Sequence, residues 1–157
     1  MAVLATPSTA AVAAVDPTMK RTNLLFQLCF GRSAKLYSYE HLAIAAVRAQ
    51  LNAPASKKFE EQLRLLPYRQ RQDDGRILAF FPESNNILPE DILFRNARDE
   101  LMFARVELQR TEGQNGVLKA RFYAATPRFF SIDYDVPPSK GIKDGIGVSV
   151  IGVTLTD

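Results

Sequence analysis

From Leu101 onward, apolar and polar residues alternate with a period of two. Met102, Ala104, Val106 and Leu108 oppose Phe103, Arg105, Glu107 and Gln109. Leu118, Ala120, Phe122 and Ala124 then oppose Lys119, Arg121 and Tyr123, and Phe130, Ile132, Tyr134 and Val136 oppose Phe129, Ser131, Asp133 and Asp135. Successive side chains of a strand point to opposite faces, so this pattern predicts three antiparallel strands with one buried and one wet face. A last run, Ile146–Leu155, is apolar on both faces, which predicts a central strand or one covered by another element.

Ahead of Pro67 the period is helical. Leu42, Ala43, Ala46, Val47 and Leu51 mark a helix over 38–52, with Ser38 as its expected cap and Glu40 at the positive end of its dipole. Asn52, Ala53 and Pro54 interrupt the pattern, and Ser56 is the expected cap of a second helix carrying Phe59, Leu63 and Leu66 on one stripe. Pro67 ends it, because its ring cannot continue a helix. Tyr68–Gln72 and Arg76–Phe81 flank Asp73-Asp74-Gly75, a hairpin signal in which Gly supplies positive φ. Residues 82–100, with Pro82, Asn85, Asn86 and Pro89, read as a long connection holding a short helical turn at Pro89-Glu90-Asp91.

Near the N-terminus, residues 22–31 form an almost uncharged apolar run that suits a buried helix or a strand and contains Cys29. The preceding Ala-rich segment lacks the basic start of a secretory signal and is too short to span a bilayer. Residues 1–20 are therefore expected to be a flexible or docked arm, and 21–157 a single domain, with a cytoplasmic location as the default. The predicted class is α+β: N-terminal helices packed on one face of a curved antiparallel β-meander sheet. In order of elements alone this is similar in outline to cystatin-like and NTF2-like cones, a likeness that implies no function.

Composition narrows the chemistry. Among 157 residues there are one Cys, one His and no Trp. One Cys makes no internal disulfide, and one Cys with one His excludes zinc sites built from those ligands alone. Twenty basic and seventeen acidic residues give a net charge of +3. The charges are interspersed: Lys57–Arg76, the densest basic stretch, also contains Glu60, Glu61, Asp73 and Asp74. A nucleic-acid binder gathers its cations into a patch, so this distribution reads as a mixed solvated surface.

Specific constellations add little. Cys29 lies in an apolar run and His41 in the first turn of a helix, a poor setting for a thiol–imidazole pair. Asp133 and Asp135 share a strand face, but Lys119 and Arg121 on the neighbouring strand make cross-strand ion pairs the expected outcome. Asp91, Glu107 and Gln109 loosely resemble the acidic pattern of restriction-type nucleases, with Gln where Lys belongs. No P-loop, GxGxxG turn or GxSxG elbow occurs.

Aromatic and cationic side chains coincide on the expected wet face: Phe103, Arg105, Lys119, Arg121, Tyr123 and Phe129. Such residues dominate protein-binding hot spots and also form stacking platforms for single strands. The acids among them disfavour nucleic acid. The expectation is a small soluble, non-enzymatic protein-binding module of the adaptor, inhibitor or immunity type. It would act through the sheet face or the 82–100 loop, on another protein or a second copy, with no cofactor, no metal and no catalytic residue. The alternative is a cone-type small-ligand binder or enzyme with Tyr134 or Asp133 near the mouth of a pocket between helices and sheet; a weak nucleic-acid binder comes third.

Overall fold

The computed structural model describes residues 34–83, 87–94, 99–110, 117–125, 128–138, 142 and 147–156. The expected arm at 1–20 and the 22–31 run with Cys29 lie outside the described residues.

Helix α1 runs Ser38–Gln50 and helix α2 runs Ala53–Leu65. The start of α1 differs from expectation by one residue. Tyr37 is the cap position, and its backbone N–H donates to Glu40 Oε2 at 2.6 Å, so a third-position carboxylate reaches back to the helix start. Helix α2 begins before Ser56. Asn52 Oδ1 accepts from the Ala55 N–H at 2.9 Å, with Pro54 inside the first turn. Pro is tolerated there because a first-turn N–H has no intrahelical partner to lose.

The strands are β1 (Tyr68–Gln72), β2 (Ile77–Phe81), β3 (Glu100–Arg110), β4 (Val117–Ala125), β5 (Arg128–Tyr134) and β6 (Val148–Leu155). All pairs are antiparallel, and the sheet order is β1-β2-β5-β4-β3-β6. Strands β3, β4 and β5 make the meander, the β1–β2 hairpin joins it at β5, and β6 joins it at β3. The expected hairpin turn is present: Asp73, Asp74 and Gly75 all have positive φ, and the Arg76 N–H donates to the Asp73 carbonyl at 2.9 Å. The final strand is an edge strand rather than a central one, and α1 packs against it.

Helices α1 and α2 lie on one face of the sheet, as the α+β reading expects. Tyr39, Ala43 and Val47 of α1 and Phe59 of α2 are buried with Leu78, Phe80, Ala104, Val106, Leu108, Leu118, Ala120, Phe122 and Ile132. Phe59 meets Phe129 edge-on at 5.1 Å between ring centroids and also contacts Phe103 and Phe122. Among the described residues, no helix is long and apolar enough to cross a membrane.

Among the described residues, three bulges interrupt the strand register. One falls between Met102 and Ala104, one between Glu107 and Leu108 against β6, and one between Tyr123 and Ala124 against β5. An extra residue in one strand reverses the inward and outward assignment beyond it. Leu101 therefore faces the helices with Ala124, and Met102 faces outward beside Tyr123. Phe129 pairs with Ala124 on the inner face, and Phe130 takes the extra position.

Candidate functional site

Of the six residues expected on the wet face, four are there. Arg105 pairs in register with Arg121, Arg121 with Asp133, and Asp133 with Ile77, making one row across β3, β4, β5 and β2. Glu107 and Lys119 form the next row on one side. Met102, Tyr123, Ser131 and Ala79 form the next on the other. Lys119, Arg121 and Tyr123 are half-buried, and the Arg105 side chain is 43% exposed.

The other two belong to the core, a correction that follows from the bulges. Phe103 occupies the extra position on β3 and turns inward, 9% exposed, onto Phe59, Phe94 and Phe122. Phe129 is fully buried and touches Phe59, Phe80, Phe103 and Phe122. Neither presents a ring to a partner on the outer face.

Expected cross-strand ion pairs are also largely replaced. Asp133 accepts from the Ser131 hydroxyl at 2.6 Å on its own strand. Asp135 accepts from the backbone N–H groups of Lys119 and Val136 at 3.0 and 3.1 Å, so it holds the β4–β5 end together. The two carboxylates thus serve separate local partners instead of a shared cation. Arg105 and Glu107 approach to 3.8 Å. Among the described residues, Lys119 and Arg121 have no carboxylate within ion-pair range. Two arginines directly opposite each other repel, and a desolvated partner carboxylate would relieve that.

A second polar cluster lies inside; the sequence singles out Glu40 and Tyr134 for other roles and gives no sign of Arg69, Arg71 or Tyr39. Glu40 is fully buried at the start of α1, and its Oε2 receives the Arg71 guanidinium at 2.6 Å. Arg71 also donates to the Lys35 carbonyl and lies 4.0 Å over the Tyr37 ring. The Tyr39 hydroxyl donates to Glu40 Oε1 at 3.2 Å. Arg69 and Arg71 point inward because their partners across β1–β2 are Phe80 and Leu78. Burial, with the Glu40 charge beside them, pushes the Tyr39 and Tyr134 hydroxyls well above the ordinary tyrosine range. The guanidinium of Arg69 is pulled down by burial. The Tyr134 hydroxyl is buried beside that of Tyr39 without a partner in full hydrogen-bond geometry among the described residues. The arrangement fastens α1 to β1 and β5; Glu40 is occupied by its cap, a tyrosine and an arginine.

Gln62 is the other missed residue. Fully buried on α2, it donates to the Ile92 carbonyl at 2.7 Å and accepts from the Phe129 N–H at 2.5 Å. Lys58 adds a bond to the Leu93 carbonyl at 2.9 Å. Together they pin the connection after β2, whose Glu90–Ile92 portion forms a 3-10 turn after Pro89.

Remaining candidates are dispersed. His41 is exposed in the first turn of α1, and Cys29 lies outside the described residues. Asp91 belongs to the 3-10 turn near α2, while Glu107 and Gln109 lie on the outer face of β3. No group of three His, Cys, Asp or Glu suited to a metal occurs among the described residues. Tyr134 and Asp133 occupy opposite faces of β5, so of the two only Tyr134 lies on the side between helices and sheet. Comparison of the chain with protein families, with curated proteins and with solved structures gives no match.

Proposed function

We propose that the chain is a non-enzymatic protein-binding module whose outer sheet face receives an acidic segment of a partner protein. The observation that carries this reading is the row formed by Arg105 and Arg121, with Lys119 beside it. Arg121 and Lys119 lack carboxylate partners among the described residues, while the acids nearby are engaged. Tyr123 supplies an aromatic edge to the same surface. Charge complementarity of this kind steers encounter and suppresses wrong partners. The inner face offers less to a ligand, since Phe59, Phe103, Phe122 and Phe129 fill the space between α2 and the sheet with rings in mutual contact.

The test is an NMR titration with a Glu-rich peptide and, separately, a single-stranded oligonucleotide of equal charge. The expected outcome is that the peptide shifts amides of Arg105, Lys119, Arg121 and Tyr123. Arg121→Glu should weaken it about tenfold, the scale of one charge-assisted contact. Shifts confined to other surfaces, or tighter binding of the oligonucleotide, would overturn the reading.

A further inference from the structure

The two edges of the sheet are built differently. At one edge, β1 has only five residues, and its Arg69 and Arg71 point inward. The Ala34 N–H donates to the Arg69 carbonyl at 2.9 Å, which occupies part of that edge. Short length, inward charges and a covering segment are the devices by which sheets avoid edge-to-edge association. At the other edge, β6 has eight residues without a charge or a proline, and no described strand pairs with its far side.

The bulge in β6 gives this edge a particular symmetry. Register with β3 places Val148, Val150, Val153 and Leu155 on the helix side, and Ile151 is the extra residue beside Gly152. The inward positions therefore read the same in either direction about the point between Ile151 and Gly152. In a regular strand, alternation would place inward residues opposite outward ones in that register. Here a second β6 running antiparallel sets Val150 against the partner's Val153 and Val148 against the partner's Leu155. Ile151 then meets the partner's Gly152, where no side chain obstructs it. The valines concerned are only half-buried in one chain, so the apolar layer under α1 stops short at this edge.

We propose that β6 is a self-association edge, pairing antiparallel with β6 of a second copy to make one continuous sheet. Pairing about a two-fold axis perpendicular to the sheet keeps the helices of both copies on the same side and closes the assembly at two. Uncharged, identical strands meet no like-charge repulsion, and backbone hydrogen bonds supply the attraction. This inference is independent of the outer-face reading.

Sedimentation equilibrium of the full chain from micromolar to millimolar concentration tests it, together with hydrogen exchange on the same samples. The expected result is a reversible dimer, with β6 amides slowing in exchange as concentration rises. Ile151 is 49% exposed, so Ile151→Lys should leave the circular dichroism spectrum unchanged. It should also weaken dimerisation on the order of a hundredfold, because two lysines would adjoin the axis. A monomer across the whole range overturns the proposal. So does a dimer whose β6 amides exchange independently of concentration, or one indifferent to Ile151→Lys in a folded variant.

Discussion

Phe103 and Phe129 show how much one added residue changes. Both stand at polar positions of an alternating pattern, and both are core residues because bulges shift the strands around them. The β5 start also leaves the Phe129 N–H to be satisfied by a side chain, and Gln62 does so while binding the Ile92 carbonyl. A buried donor or acceptor without a partner is expensive. Gln62→Leu, close in volume, is therefore expected to destabilise the fold by about 2–4 kcal/mol, since two backbone groups lose their partner. Urea unfolding monitored by circular dichroism reads this directly. A change below about 1 kcal/mol would mean that water or another donor replaces the amide.

Elements differ in how local their causes are. The β1–β2 hairpin was legible because Asp-Asp-Gly can adopt positive φ, a property of three adjacent residues. Gly75 has φ +89 with nothing within 4 Å of the place a Cβ would take, so the demand is conformational and not steric crowding. Gly75→Ala should cost about 1–2 kcal/mol through backbone strain alone. Gly75→Asn should recover part of that loss, which thermal unfolding of both variants would show. Helix α1 was equally legible from its spacing, but its cap was not. Glu40 looks like an ordinary first-turn acid, and only contact with Arg71 and Tyr39 makes it a buried anchor. The last strand was expected to be central or covered by another element, and it is the second: an edge strand under α1. An apolar pattern on both faces reports burial demand, whereas edge or centre depends on which strand pairs with it.

At the scale of the molecule, the cluster beneath α1 couples stability to alkaline pH. Tyr39 and Tyr134 have folded pKa values raised above the unfolded value of about 10, chiefly by burial. Below that pH both states hold the phenol protons and the full stability is present. Above it the unfolded chain releases protons first, so stability falls as pH rises through the folded values. The slope approaches about 1.4 kcal/mol per pH unit for each tyrosine. Tyr134→Phe is expected to be near neutral at pH 7, because its hydroxyl lacks a full hydrogen bond, and to flatten the alkaline loss. Denaturation midpoints measured from pH 7 to pH 11 check both parts; an unchanged alkaline slope in Tyr134→Phe would contradict the assignment.

The sequence by itself determined the class: helical spacing first, then period-two strands, with a glycine turn between β1 and β2. Those are near-neighbour properties, set by backbone geometry and by which face must leave water. Lys119, Arg121 and Tyr123 share one face because the β4 alternation has no interruption within it, and Arg105 joins them through its register with Arg121. Tertiary structure alone decided the bulges, the sheet order, the burial of Glu40 and Gln62, and the lack of carboxylate partners for Lys119 and Arg121 among the described residues. Each of these depends on residues distant in the chain meeting with a specific register. A pattern along one strand carries no information about the strand that will lie beside it.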